Sequence, residues 1–193
     1  MPRHFAFLRA VNVGGRTVSM DRLRGIFESL CFAGVETIIA SGNVIFEARP
    51  TSGGAYDKTI EKALREALGY DVAVFVRTHA ELADVANQRP FPPRAIKSAQ
   101  ALNVAFLAAA LDGPAGRAVM ALRTGIDDFR VRGREIYWLC RKKQSESTFS
   151  LKVLEKAIGM RATLRGVKTV ETLAAKYPLP ADVRPARSGR DRR

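Results

Sequence analysis

"VETIIASGNVIFEA", residues 35–48, reads as two short runs of β-branched and aromatic residues, 35–41 and 42–48. Gly42-Asn43 is the turn signal between them, because both residues tolerate the positive φ of a tight turn. Upstream, "MDRLRGIFESLCF" (20–32) places Met20, Leu23, Ile26, Phe27 and Leu30 at helical spacing, with Ser19 as its N-cap. Before that, "HFAFLRAV" (4–11) reads as a buried strand. Downstream, "RPTSGGA" (49–55) is a loop, and "YDKTIEKALREALGY" (56–70) carries Ile60, Ala63, Leu64, Ala67 and Leu68 on one face before a Gly69 C-cap. "DVAVFVR" (71–77) closes the series as a strand. The order β-α-β-β-α-β is the split-βαβ, ferredoxin-like arrangement, so the expected class is α+β.

The second half echoes it. Thr78 caps a helix over 78–88, and "RPFPPRAIKSAQ" (89–100) is a proline-broken connector. "ALNVAFLA" (101–108) is a strand, and "DGPAGRAVMALRT" (112–124) a turn and short helix. "DDFRVRGREIYWLCR" (127–141) gives two strands around Gly133, with the Asp127-Asp128 pair read as turn residues. A helix over 147–160, a connector "ATLRG" (162–166) and a last helix over 167–177 follow. The letters show no repeat. The expected organisation is an α+β subdomain at 1–77, a second, related one at 78–178, and a basic, disordered tail at 179–193.

The 193 residues are 47% hydrophobic and 26% charged, enough to bury a core. No apolar run approaches the roughly 20 residues of a membrane span, and the first residues lack a signal peptide's apolar stretch. The expectation is a soluble, cytoplasmic protein without a membrane partner; the residues leave its oligomeric state open. Cys31 and Cys140 sit among apolar neighbours and read as buried, reduced thiols. The only histidines are His4 and His79, with no metal-ligand spacing, so neither a metal nor another cofactor is expected.

Net charge is +13. Through Lys97 there are 13 Lys+Arg against 10 Asp+Glu; from Ser98 onward there are 19 against 9. Such an excess attracts polyanions. Arg130, Arg132 and Arg134, followed by Arg141-Lys142-Lys143, give the 127–141 hairpin a basic face. Its aromatics, Phe129, Tyr137 and Trp138, read as core rather than as a base-stacking platform.

Asn12-Val13-Gly14-Gly15-Arg16 lies between a strand and a helix, where backbone N–H groups can face an anion. It matches neither GxGxxG nor GxxxxGK[ST], and an ordinary corner explains it as well. Ser41-Gly42-Asn43 carries the same two readings. Ser-His-Asp and GxSxG arrangements are missing from the sequence, and no catalytic set emerges.

Together, "LRAVNVGG" (8–15), Met20, Leu23 and "SGNVIF" (41–46) resemble domain-of-unknown-function family 1697, whose members read "LRGINVGG", "M..L...L...G" and "V.TYI.SGNVVF". The resemblance implies a cytoplasmic α+β protein and a shared ligand site of Arg9, Asn12, Gly14, Gly15, Ser41 and Asn43, joined by Arg16. "STFSLKVLEKAIGMRATLRGVKTVETL" (147–173) is similar to the family's C-terminal motif and adds Ser147, Arg165 and Thr169. Thr148, Gly166 and Val167 depart from it, standing where Lys, Asn and Trp are common. No activity comes with the resemblance. The residues point first to binding of a phosphate-bearing small molecule or a nucleic acid. A small-molecule enzyme with a polar cleft between subdomains, or a non-catalytic interaction protein, are the alternatives.

Overall fold

The computed structural model describes residues 1–12, 17–38, 42–49 and 55–179. The chain runs β1 (Arg3–Leu8), α1 (Met20–Ser29), β2 (Ala33–Ile38), β3 (Asn43–Glu47), α2 (Ala55–Leu68) and β4 (Val74–Thr78). Then come α3 (His79–Asn87), α4 (Pro93–Ser98), β5 (Ala101–Leu107), α5 (Gly113–Ala121), β6 (Asp127–Arg132), β7 (Glu135–Cys140), α6 (Leu151–Ile158), β8 (Ala162–Gly166) and α7 (Val167–Lys176). The class is α+β. Both sheets are antiparallel, ordered β2-β3-β1-β4 and β6-β7-β5-β8.

The expected caps form. The Ser19 hydroxyl accepts from Arg22 N, Thr78 and Glu81 make a reciprocal capping box, and Gly69 turns left-handed at φ +77°. Four expectations are corrected. "ATLRG" is β8, not a connector, so the second half completes the order β-α-β-β-α-β; its N–H and C=O groups pair with β5. The proline-broken connector contains α4, where Pro93 occupies the first turn and loses nothing by lacking an N–H. Asp127 and Asp128 open β6 as buried strand residues rather than forming a turn. Cys31 is exposed, because the chain turns left-handed there (φ +59°) just past α1; Cys140 is buried, and both are free thiols. The basic tail, residues 180–193, lies outside the described residues.

β1 is buried on both faces, which its alternation makes possible. Ala6 and Leu8 join a core against α1 and α2, while Phe5 and Phe7 point the other way. β5 does the same: Ala105 and Leu107 face the α5–α6 core, and Val104 and Phe106 face Phe5 and Phe7. Phe7 and Phe106 stack at 4.1 Å with planes 6° apart. This central core also takes Leu82 and Val85 of α3 and Val170 and Leu173 of α7, so the two sheets share it. Phe129, Tyr137 and Trp138 are buried, as expected of core aromatics.

Two buried arginines occupy matching places. Arg77 is the fourth residue of β4, and Arg165 the fourth of β8. Arg77 lies over Phe106 and donates to the carbonyls of Leu107, Arg134 and Val76. Arg165 lies over Phe7 and donates to the carbonyls of Leu8, Gly42 and Leu164. Each guanidinium thus ties its own edge strand to the other sheet. They differ at Nε: Arg77 meets the Glu135 carboxylate at 2.7 Å, Arg165 the neutral Asn43 amide oxygen at 2.7 Å.

Candidate functional site

The residues leaving β1 form one wall of a cleft of about 480 Å³. Leu8, Arg9, Ala10, Val11 and Asn12 line it from this side, Leu151 and Lys152 from the start of α6, and Thr163, Leu164 and Arg165 from β8. β8 reaches the cleft because it pairs antiparallel with β5, whose Phe106 is stacked on Phe7 of β1. Gly42 lies against two of these lining residues, Leu8 and Val11. It adopts φ +75°, and a Cβ there would meet Leu8 Cβ at 3.1 Å and Val11 Cγ2 at 3.3 Å, so the backbone approach admits only hydrogen. Ala10 also adopts the left-handed conformation, at φ 58°.

Charge in the cleft is mostly positive. Arg9 pairs with Glu155 at 2.7 Å, and its Nε is buried without a partner among the described residues. Glu155 uses its other oxygen to accept from Ala162 N, which fixes α6 to β8. Lys152 stands at the mouth. Arg165 is buried, donates also to the Thr163 hydroxyl, and burial pushes its pKa down to about 10. A buried cation with a depressed pKa is stabilised by any anion that enters beside it.

The expected site is brought together in part. Arg9, Asn12 and Arg165 line the cleft, and Asn43 lies behind it, bonded to Arg165. Asn12 accepts from Val18 N at 2.7 Å, so it ties two parts of the chain six residues apart whatever else it does. Ser147 serves another place: its hydroxyl donates to the Asp127 carboxylate, which also takes Trp138 Nε1–H. Thr169 is on α7 and does not line the cleft; its hydroxyl oxygen lies 3.7 Å from where a Gly166 Cβ would stand. Gly14, Gly15, Arg16 and Ser41 lie outside the described residues. Lys152 was not singled out by sequence reasoning, and nothing in its local pattern distinguishes it from a surface lysine. Thr163 and Glu155 were visible as motif positions without a role.

Among the described residues no cluster of His, Cys, Asp and Glu could hold a metal ion, and no helix is long and apolar enough to cross a membrane.

A solved structure, that of the conserved bacterial protein SP0830 from Streptococcus pneumoniae, is similar to this fold. The TM-score is 0.72 at 20% sequence identity, over 90% of this chain and 97% of that one. At that identity the likeness is one of fold alone. No curated protein matches the sequence. The model of the family described as "Protein of unknown function (DUF1697)" matches residues 1–137, which hold β1, Gly14, Gly15 and Asn43, whereas Ser147, Arg165 and Thr169 lie beyond the match. Matched over more than half its length, the chain belongs to the DUF1697 family.

Proposed function

We propose that the chain binds a small phosphate-bearing molecule in the cleft between β1, α6 and β8. The observation that carries this reading is the convergence on one concave site of Arg9, just after β1, with Lys152 and Arg165 from the far later α6 and β8. Arg165 already donates to fixed acceptors and would act through its charge, whereas the exposed part of the Arg9 guanidinium and the Lys152 ammonium supply the direct contacts. The apolar share of the lining, Leu8, Val11, Leu151 and Leu164, suits an organic phosphate better than the bare ion.

The test is a thermal-shift screen of nucleotides and sugar phosphates on protein freed of nucleic acid at high salt. A ligand at 100 times its Kd adds about 2.7 kcal/mol of stability. The expected result is a shift from particular phosphates that is lost in Lys152→Ala and Arg9→Gln. The reading fails if no phosphate shifts the transition, or if both variants respond like the wild type.

A further inference from the structure

A second positive site lies far from the cleft in the sheet order, on β6, the edge strand of the second sheet opposite β8. Asp128, buried near the start of β6, is approached by three guanidinium groups. Arg123 Nε is 2.8 Å and Arg130 Nη1 2.9 Å from its Oδ1, and Arg141 Nη2 is 3.8 Å from its Oδ2. One carboxylate cannot neutralise three cations. Two positive charges remain over it, and like charges at such spacing repel unless an anion attends them.

The three arginine side chains are between one third and one half exposed, so their outward N–H groups reach solvent. Arg130 also lies over the Phe91 ring, with its guanidinium carbon 5.1 Å from the ring centre. Positive charge continues along the edge. Arg132 follows two residues on, on the same strand face as Arg130, about 6.6 Å away at the rise of an extended strand. Lys142 and Lys143 follow Arg141. Lys142 pairs with Glu146, whereas Arg132 and Lys143 form no ion pair among the described residues. Asp127 is engaged by Trp138, Ser147 and Thr124, Glu135 by Arg77 and Glu81 by Arg134, while Asp84 shares a cleft with Arg132 at the end of the strand.

We propose that this edge binds the sugar–phosphate backbone of a single-stranded nucleic acid. Three features select that occupant. The cations form a band along one strand rather than a closed pocket, which suits a chain of phosphates. Guanidinium forks match phosphate oxygens two at a time. Arg130, backed by Phe91 on one side, offers a planar guanidinium for an unpaired base to stack on.

The test measures anisotropy of a short, labelled, mixed-sequence single-stranded oligonucleotide over a range of salt. It compares the full chain, a chain ending at residue 179, and the triple variant R123Q/R130Q/R141Q. No residue of the described cores lies beyond Tyr177, so the shortened chain keeps them all. Full and shortened chains are expected to bind. The triple variant is expected to bind at least tenfold more weakly at low salt, with a salt slope shallower by about 0.7 for each phosphate it no longer neutralises. If freeing Asp128 unfolds the triple variant, R132E/K143E removes charge at unpaired positions and is expected to weaken binding in the same direction. The proposal is overturned if folded variants bind with unchanged affinity and slope, or if the shortened chain loses all binding. It is also overturned if an acidic peptide of equal charge binds as tightly as the oligonucleotide.

Discussion

Single residues here bear on stability through what they would leave behind. Arg165 satisfies the Asn43 amide oxygen and the carbonyls of Leu8, Gly42 and Leu164. Arg165→Met fills much of the space but orphans several buried acceptors, at about 1–3 kcal/mol each, partly offset by removal of a buried charge. A net loss of about 3 kcal/mol is expected in urea unfolding. Gly42→Ala combines left-handed backbone with a Cβ at 3.1 Å from Leu8 Cβ, and the same measurement should show a loss of about 2 kcal/mol or more. His4 makes stability depend on pH. It is buried, stacked on Phe46 at 5.3 Å, and Nδ1–H donates to the Pro2 carbonyl. Burial lowers its pKa below the ordinary value of about 6.5, against the smaller opposing effects of that hydrogen bond and of Glu81. The unfolded chain therefore binds the proton more readily. The stabilisation from neutral His4 is complete above about pH 6.5 and is lost as pH falls through the lowered folded value. A transition temperature followed from pH 7.5 to 5 should fall, and His4→Gln should remove its share of that fall.

At the level of elements, the caps were readable and the second edge strand was not. Ser19 and Thr78 each stand before a helix and accept from its first turn, a local relation that sequence exposes directly. β8 escaped because "ATLRG" is short, contains an arginine and a glycine, and alternates over only two apolar residues, Ala162 and Leu164. Only pairing with β5 makes them a strand, and only the opposite sheet makes a buried arginine tolerable there. α7 begins without a side-chain cap, since Gly166 is its N-cap residue. Gly166 has φ −61° and ψ 135°, which any residue adopts, and a Cβ would meet nothing closer than Thr169 Oγ1 at 3.7 Å. Gly166→Asn should therefore stabilise the protein by about 0.5 kcal/mol, by capping α7 and restricting the unfolded chain. A raised urea midpoint at constant slope is the expected readout.

Over the whole molecule, the central core couples the halves. Phe5, Phe7, Ile45 and Phe75 come from the first sheet, and Val104, Phe106, Tyr137 and Leu139 from the second. A fragment of residues 1–88 keeps its sheet and helices α1, α2 and α3 but loses the second sheet's cover of that face, including the ring stacked on Phe7. It is expected to bind a hydrophobic dye and to lack the sharp thermal transition of the full chain. A cooperative, dye-free fragment would show that the first half folds as an independent subdomain.

Sequence alone determined what depends on neighbours within a few residues. Helical spacing in 20–32 and 56–70, the Ser19 and Thr78 caps, the strands on either side of Gly42 and Gly133, and the α+β class all follow from local periodicity and turn chemistry. The family motif drew attention to Arg9, Asn12, Asn43 and Arg165. Tertiary structure decided which of these stand together, because the contacts bridge about 120 to 160 residues: Arg165 to Asn43 and Leu8, and Arg9 to Glu155. It also separated Ser147 and Thr169 from the cleft and brought Lys152 into it. Such meetings depend on two sheets packing face to face through Phe7 and Phe106, a relation that no local pattern encodes.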